Sequence, residues 1–399
     1  MGNSQKIRER ADAAMLTTYS RFGPVLVEGR GACVRDAEGR DYLDFVAGIA
    51  VCALGHANPE LCAALAEQAQ RLWHVSNLYY SVPQVELAEA LTARCFADRV
   101  FFCNSGAEAN EAAIKLARRY SLSRFNGERY RIVCMEGSFH GRTLGTISAT
   151  GQEKVRAGFG PLLPGFSFVP FGDIGALRAA ITDKTCAVML EPIVANGGIL
   201  MPPDGYLAAV RELCNERQLL LVMDEVQVGM GRTGHLFAHQ GFGVEPDVMT
   251  LAKALGGGLP IGAMLCTEEA AKGLPAGSHA STFGGTPLVC AVARRALEMI
   301  AAPEMLEHVR ETGDYLLVRL RELASRHPAQ VAAVRGRGLI CGLELSEPKT
   351  RRLMELALEE GLLIDIATER VIRLVPPLII GRAEVDALIS GLDRALPKL

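Results

Sequence analysis

Three short segments of this chain place reactive side chains at the end of an apolar run. In Thr250-Leu251-Ala252-Lys253-Ala254-Leu255-Gly256-Gly257-Gly258 a lysine closes the run and meets three consecutive glycines. A lysine drawn into apolar surroundings must be paired, neutralised or used covalently. Desolvation lowers its pKa and makes it a Schiff-base nucleophile. In Leu220-Leu221-Val222-Met223-Asp224-Glu225 an apolar run leads into two carboxylates. An acid with a low-dielectric wall behind it can hold a cation, such as a protonated pyridine nitrogen or a metal-bound phosphate. Asn104-Ser105-Gly106-Ala107-Glu108 joins a strand-like run to a helical one. Ser105 or Asn104 can cap that helix, Gly106 permits close backbone approach, and the exposed N–H groups suit a phosphate dianion. Each segment alone has a plainer reading: a surface lysine beside a loop, a hinge or capping aspartate, an ordinary βα turn.

Other signals are weaker. Gly229-Met230-Gly231-Arg232-Thr233-Gly234 matches GxGxxG, but Asp224 to Val228 separate it from its strand, and Gly241 and Gly243 follow where a long helix is needed. A lone match of this kind is a poor warrant for a dinucleotide site. No GxxxxGK[ST] accompanies the acids, which removes a P-loop reading, and the eight histidines show no HExxH or similar ligand spacing. The eleven cysteines form no CxxC and sit in apolar runs, so reduced, buried thiols of a cytoplasmic protein are expected rather than a disulfide framework or a zinc site.

The elements that must position these residues follow from the pattern of the chain. With 49% hydrophobic and 22% charged residues in 399, the chain is a folded enzyme-sized protein and not a disordered one. A net charge of -3 supplies no basic field for nucleic acid. The start of the chain is polar, with no apolar leader. Met1-Gly2 is followed by Lys6 where myristoylation needs Ser or Thr, and Phe45 to Gly55 is too short to span a bilayer. Buried-strand runs at Val100–Cys103, Arg131–Met135, Cys186–Leu190, Leu219–Met223 and Val248–Leu251 alternate with helical stretches, one of them about Ala107–Tyr120. That alternation predicts an α/β fold with a mainly parallel sheet covered on both faces. Ligands of such sheets bind at the carboxyl ends of the strands, where all three segments stand. After Thr286 a long helix and strands at Gly338–Leu345 and Val371–Val375 predict a smaller α+β domain. Residues 1–50, with a hairpin from Cys33-Val34-Arg35 to Tyr42-Leu43 turned at Ala37–Arg40, are expected to pack with it. The expected division is 1–50, 51–286 and 287–399.

Together the segments resemble the class III aminotransferases, of pyridoxal-phosphate (PLP) fold type I. The resemblance runs from Tyr19 to Pro377. It is carried by Tyr42–Ala50, His74–Tyr80, Phe101–Tyr120, Phe139-His140-Gly141-Arg142-Thr143, Asp224–Gly234, Leu251–Gly262, Ser281-Thr282-Phe283-Gly284-Gly285 and Ile372–Pro377. It implies that Lys253 carries the cofactor, that Asp224 pairs with the pyridinium nitrogen, and that Gln227 bonds the ring's phenolic oxygen. By the same resemblance Phe139 and Val226 cover the two ring faces and Glu225 belongs to the cofactor-binding set. Ser105, Gly106 and Ala107 hold the phosphate, with Thr282 added from a second subunit of a homodimer. Arg142 clamps a substrate carboxylate, with Ser281 nearby, and Arg373 meets an α-carboxylate.

The implied reaction is a ping-pong transfer of the terminal amino group of N2-acetyl-L-ornithine to 2-oxoglutarate. Ornithine, succinylornithine, N-succinyl-diaminopimelate and 4-aminobutyrate are alternatives, as is decarboxylation on the same scaffold. A non-catalytic relative would have lost Lys253 or Asp224, and a dehydrogenase would rest on the GxGxxG segment alone. One departure stands out. Relatives read Glu-Pro-(Ile/Val)-Gln-Gly-Glu-Gly-Gly where this chain has Glu191-Pro192-Ile193-Val194-Ala195-Asn196-Gly197-Gly198. In relatives the second glutamate can pair with the arginine matching Arg373. Asn196 cannot form an ion pair, so Arg373 is expected to stand more open to α-carboxylates.

Overall fold

A computed structural model describes residues 3–399; Met1 and Gly2, the myristoylation dipeptide considered above, lie outside it. The first strands are β1 (Leu26–Arg30), β2 (Cys33–Asp36) and β3 (Asp41–Asp44). The predicted hairpin pairs Cys33 with Leu43 and Val34 with Tyr42. Asp36 pins its turn by accepting from the N–H groups of Glu38 and Arg40 at 3.0 and 2.8 Å.

The apolar runs become β4 (Arg99–Cys103), β5 (Arg131–Met135), β6 (Phe166–Val169), β7 (Thr185–Leu190), β8 (Leu220–Asp224), β9 (Val248–Leu251) and β10 (Gly262–Cys266). They form one sheet in the order β4-β10-β9-β8-β7-β5-β6. All neighbours are parallel except β10, which runs antiparallel to both β4 and β9. Sequence periodicity did not mark β10 or β6, because Gly262-Ala263-Met264-Leu265-Cys266 is as compatible with a buried helical turn as with a strand. The sheet residues alternate in the expected period of two. Ile132, Ala187, Val222 and Met264 pack under the helix Gly106–Arg124, through Ala112, Ala113 and Leu116. Val133, Val188 and Leu221 pack under the helix Tyr206–Arg217, through Val210 and Leu213.

The last strands are β11 (Val331–Arg337), β12 (Ile340–Leu345), β13 (Leu362–Leu363), β14 (Asp365–Ile366) and β15 (Val371–Leu374). β11-β12-β15-β14 make an antiparallel sheet. β13 instead pairs in parallel with β3, Leu362 opposite Leu43 and Leu363 opposite Asp44. The helix Pro287–Ile300 packs against the helices Pro59–Ala69 and Val82–Thr92, and the helix Pro303–Arg326 packs against β11 and the helix Arg382–Ala395. The apolar faces of Pro287–Ile300 and Pro303–Arg326 enter one continuous core with Phe45, Leu54, Leu255 and Leu374.

The cysteine expectation needs one correction. All eleven are free, but Cys33 and Cys62 are exposed and Cys52 and Cys95 only partly covered. Short apolar runs near the chain start and in the surface helices do not all face inward.

Candidate active site

The helix Gly106–Arg124 begins where β4 ends, and its start is closed by reciprocal bonds. Ser105 Oγ accepts from the Glu108 N–H at 3.2 Å, and Glu108 Oε2 accepts from the Asn104 N–H at 2.7 Å. That leaves the first-turn amides of Gly106 and Ala107 at the positive end of the helix, on the wall of a cavity of about 440 Å³. Gly106 is required by proximity: a Cβ there would lie 2.7 Å from Val226 Cγ1. The same cavity is lined by Phe139, Arg142, Asp224, Val226, Gln227 and Lys253. Segments more than a hundred residues apart thus converge at the carboxyl ends of β4, β8 and β9.

Asp224, at the end of β8, is buried and heavily held. Its Oδ2 accepts from Asn110 Nδ2 at 2.7 Å and bonds His140 Nδ1 at 2.8 Å, and its Oδ1 accepts from the Val226 N–H at 3.0 Å. A carboxylate offers about four acceptor positions. Three are taken, and a fourth remains for a donor in the cavity. Asn110 spends its whole amide on this arrangement. Besides Asp224 it donates to the His140 carbonyl at 2.8 Å and accepts from Thr250 Oγ1 at 2.7 Å. Asn110 and His140 had no assigned role in the sequence reading. The signal for Asn110 was present: an amide inside the apolar stripe Ala109, Ala112, Ala113, Leu116 must find partners.

Lys253 follows β9 with φ at +46°, a conformation that costs a non-glycine residue about 1–3 kcal/mol. Burial first, and the Arg373 guanidinium second, push its amine down to about 7 against the pull of Asp224, Glu191 and Asp365. A neutral amine near pH 7 is a nucleophile and a proton carrier. Glu191, at the end of β7, also lines the cavity. Its oxygens accept from the N–H groups of Phe139 at 2.9 Å and Ala195 at 3.1 Å. Burial, with Asp224 nearby, raises its carboxyl well above the usual range.

The remaining predicted residues are placed less uniformly. Arg142 is exposed at the cavity mouth, its guanidinium carbon 5.6 Å from the centre of the Phe139 ring. Ser281 Oγ accepts from Asn104 Nδ2 at 3.1 Å, just behind the helix start. Thr282 is exposed and does not line this cavity.

Two expectations are corrected. Glu225 turns away from the cavity, and its carboxylate accepts from the N–H groups of Ala238 and His239 and bonds His239 Nδ1 at 2.9 Å. Successive residues at a strand end tend to point to opposite sides, and Glu225, just past the end of β8, faces away from the cavity that Asp224 lines. Arg373 is not left open by Asn196. It is buried and pairs with Asp365, while its Nη1 donates to Asn196 Oδ1 and, at 2.8 Å, to Gln227 Oε1. The GxGxxG segment is a packing junction. Buried Arg232 donates to the carbonyls of Leu339 and Pro376, which ties the loop to the smaller domain, and a short 3-10 turn (Ala238–Phe242) follows in place of a helix.

Comparison with known proteins matches residues 17–396 to the family model described as aminotransferase class-III. The chain is 51% identical to the acetylornithine aminotransferase of Gloeobacter violaceus, over 98% of both chains. It is 46% identical to the succinylornithine transaminase/acetylornithine aminotransferase of Pseudomonas aeruginosa, covering 100% of this chain and 98% of that one. The crystal structure of N-acetylornithine aminotransferase from Stenotrophomonas maltophilia superposes with a TM-score of 0.85 at 40% identity, over 98% of each chain.

Proposed function

Because the chain belongs to the class III aminotransferases, PLP-dependent enzymes, we propose that it moves the terminal amino group of N2-acetyl-L-ornithine to 2-oxoglutarate, giving N-acetyl-L-glutamate 5-semialdehyde and L-glutamate, a step of arginine biosynthesis. The observation that carries the reading is the meeting of Lys253 and Asp224 in one cavity: a depressed amine and a carboxylate fixed by three bonds with one acceptor position left. The choice of donor rests on the similarity to the acetylornithine enzymes.

The residues present fit the cofactor. Asp224 would hold its ring nitrogen, the amides of Gly106 and Ala107 with Ser105 its phosphate, Phe139 and Val226 its two faces, and Gln227 its phenolic oxygen. When bound, PLP supplies a carbonyl that takes an amine covalently and a protonated ring that draws electrons from the adjacent C–H bond. The protein's own part is to hold charge and move one proton. Asp224, fixed by Asn110 and His140, keeps a negative charge where a ring cation needs it. Lys253 Nζ, mainly neutral above its depressed pKa of about 7, accepts a proton from one carbon and delivers it to another. Arg142 at the mouth binds the carboxylate at the far end of the substrate through its planar fork. Arg373, behind Gln227, serves the carboxylate beside the reacting carbon. 2-Oxoglutarate and glutamate carry both carboxylates, whereas N2-acetylornithine carries only the distal one.

We further infer a homodimer in which Thr282 reaches the partner's phosphate site. Thr282 and Phe283 are exposed, Phe283 lies 5.0 Å from the His74 ring, and Asn77 donates to the carbonyls of Ser281 and Gly284, which joins their loop to the segment that carries the exposed Trp73, Leu78, Tyr79 and Tyr80. Exposed apolar side chains gathered on two joined segments are the kind a second subunit covers. The division into 1–50, 51–286 and 287–399 is likewise our reading, supported by the pairing of β3 with β13. The eleven free thiols favour a reducing, cytoplasmic compartment. Succinylornithine is the second donor to test, since the Pseudomonas aeruginosa relative carries both names.

The test is an absorbance titration of the purified, PLP-loaded protein with N2-acetylornithine and no keto acid. Conversion of the visible cofactor band to the amine form of the cofactor, reversed by 2-oxoglutarate, is expected. A band that ignores N2-acetylornithine while responding to another amine would replace the donor. The absence of any cofactor band after PLP is added would end the reading.

A further inference from the structure

Arg373 has no glutamate at position 196 to balance it, yet it is buried with only 4% of its surface exposed. A buried guanidinium must be paired with a charge or fully hydrogen-bonded. Asp365 supplies the charge from an unexpected direction: β14 pairs with β15, and the register sets Asp365 directly opposite Arg373. Arg373 Nε donates to Asp365 Oδ2 at 3.0 Å, and Nη2 donates to the same oxygen. On the other side Nη1 donates to the neutral amide oxygens of Asn196 and Gln227, and Gln227 Nε2 in turn donates to Asn196 Oδ1 at 3.2 Å.

Two features make this pair exchangeable. The Nε and Nη2 donors converge on a single carboxylate oxygen, so the two-pronged edge of the guanidinium is only half used. A free carboxylate can offer two oxygens to that edge. The Asp365 side chain also keeps 22% of its surface in solvent, against 5% for Arg373. When displaced it can return to water, while Asn196 and Gln227 hold the guanidinium in place.

We propose that Asp365 is the specificity-determining counter-ion of this site, an internal carboxylate that occupies Arg373 until a substrate carboxylate displaces it. A donor with no carboxylate beside its reacting carbon leaves the Arg373–Asp365 pair closed and meets a neutral wall. Glutamate and 2-oxoglutarate must exchange their own carboxylate for that of Asp365. Position 196 is neutral in this chain, and the negative charge that balances Arg373 stands at position 365. The proposal rests on the reading of Arg373 as a substrate-carboxylate site given above.

The experiment compares the two half-reactions of the PLP-loaded enzyme in single-turnover absorbance measurements, one with L-glutamate and one with N2-acetylornithine. In Asp365→Asn the concentration of glutamate giving half-maximal rate should fall about five- to tenfold, and the ratio of the two half-reaction efficiencies should shift toward glutamate, because specificity is a difference of affinities. The maximal glutamate rate should move less than the half-saturating concentration. Asp365→Glu should restore the original ratio. So should Asn196→Glu added to Asp365→Asn, since a carboxylate at 196 stands beside Nη1 of the same guanidinium. A ratio unmoved in Asp365→Asn, or both half-reactions changing in parallel, overturns the proposal. If Asp365→Asn does not fold, Asn196→Glu alone decides: it should weaken glutamate through a second counter-charge, and an unchanged glutamate half-reaction overturns the idea. A wild-type enzyme that reacts with glutamate but not N2-acetylornithine removes only the donor reading. The half-saturating glutamate concentration of the variants then judges Asp365 by itself.

Discussion

Asp224 and Glu225 are consecutive acids at the end of one strand. Both are buried and both bond the Nδ1 of a histidine, at 2.8 and 2.9 Å. Their surroundings separate them. Asp224 faces a cavity with one acceptor position unspent and Lys253 on the same wall. Glu225 faces the packed loop 235–242, where Ala238 and His239 consume its oxygens. The histidines differ in the same way: His140 Nε2 is buried without a partner among the described residues, while His239 packs between Phe96 and Phe237. A carboxylate–imidazole pair is therefore not a catalytic feature in itself. Its role depends on whether the acid has capacity left for a ligand and whether space exists to receive one.

That contrast can be broken or sharpened by experiment. The largest effect is expected beside Asp224, at Lys253. Lys253→Ala should lower turnover at least about 1000-fold, since on the proposed mechanism it removes both the nucleophile and the proton carrier. Its circular dichroism spectrum and melting temperature should stay close to wild type, and appreciable turnover in this variant would undo the assignment. Next comes Asp224→Asn, which keeps the shape but removes the charge. A loss of about 100- to 1000-fold in kcat is expected, as for removal of one preorganised electrostatic group, with PLP still bound in an equilibrium titration.

The pH dependence of loading is a milder test. The Lys253 amine lies below its ordinary value, at about 7, so it is protonated at lower pH and free above. The rate at which apoenzyme acquires its visible cofactor band should rise about tenfold from pH 6 to pH 8 and then level off. A rate still climbing steeply toward pH 10 would mean an ordinary lysine. The smallest catalytic effect is expected on the other side of the strand. Glu225→Gln puts an NH2 group against the Ala238 N–H and should cost about 1–3 kcal/mol of stability in a denaturant titration. The activity per folded molecule should stay within about threefold of wild type, as expected of sites that share no partner. A collapse of kcat without loss of stability would place Glu225 in the chemistry after all.

The strands that lead to Asp224 and Lys253 were legible because apolar runs of four to six residues between helical stretches can do little except pair in a covered sheet. The helix start at Ser105 was legible because its caps are local. Asn110, His140 and Asp365 were not. Asn110 looks like one polar residue in a helix until Asp224 and Thr250, far along the chain, are brought to its amide. Asp365 lies in a two-residue strand with no periodic signal, and its importance comes from the cross-strand register with Arg373. The sequence reading found the missing charge at position 196 and inferred an open arginine, because the balancing carboxylate could not be located without that register.

By itself, then, the sequence determined the class of fold, the family and the cofactor, since these rest on residue types at fixed local spacing and on segments that recur in order. Only the tertiary structure decided which neighbour of a motif faces the cavity, who holds Asp224 in place, and where the counter-charge of Arg373 resides. Hydrogen bonds and ion pairs act over about 3 Å, and which groups come that close is a property of packing and strand register that spacing along the chain does not encode.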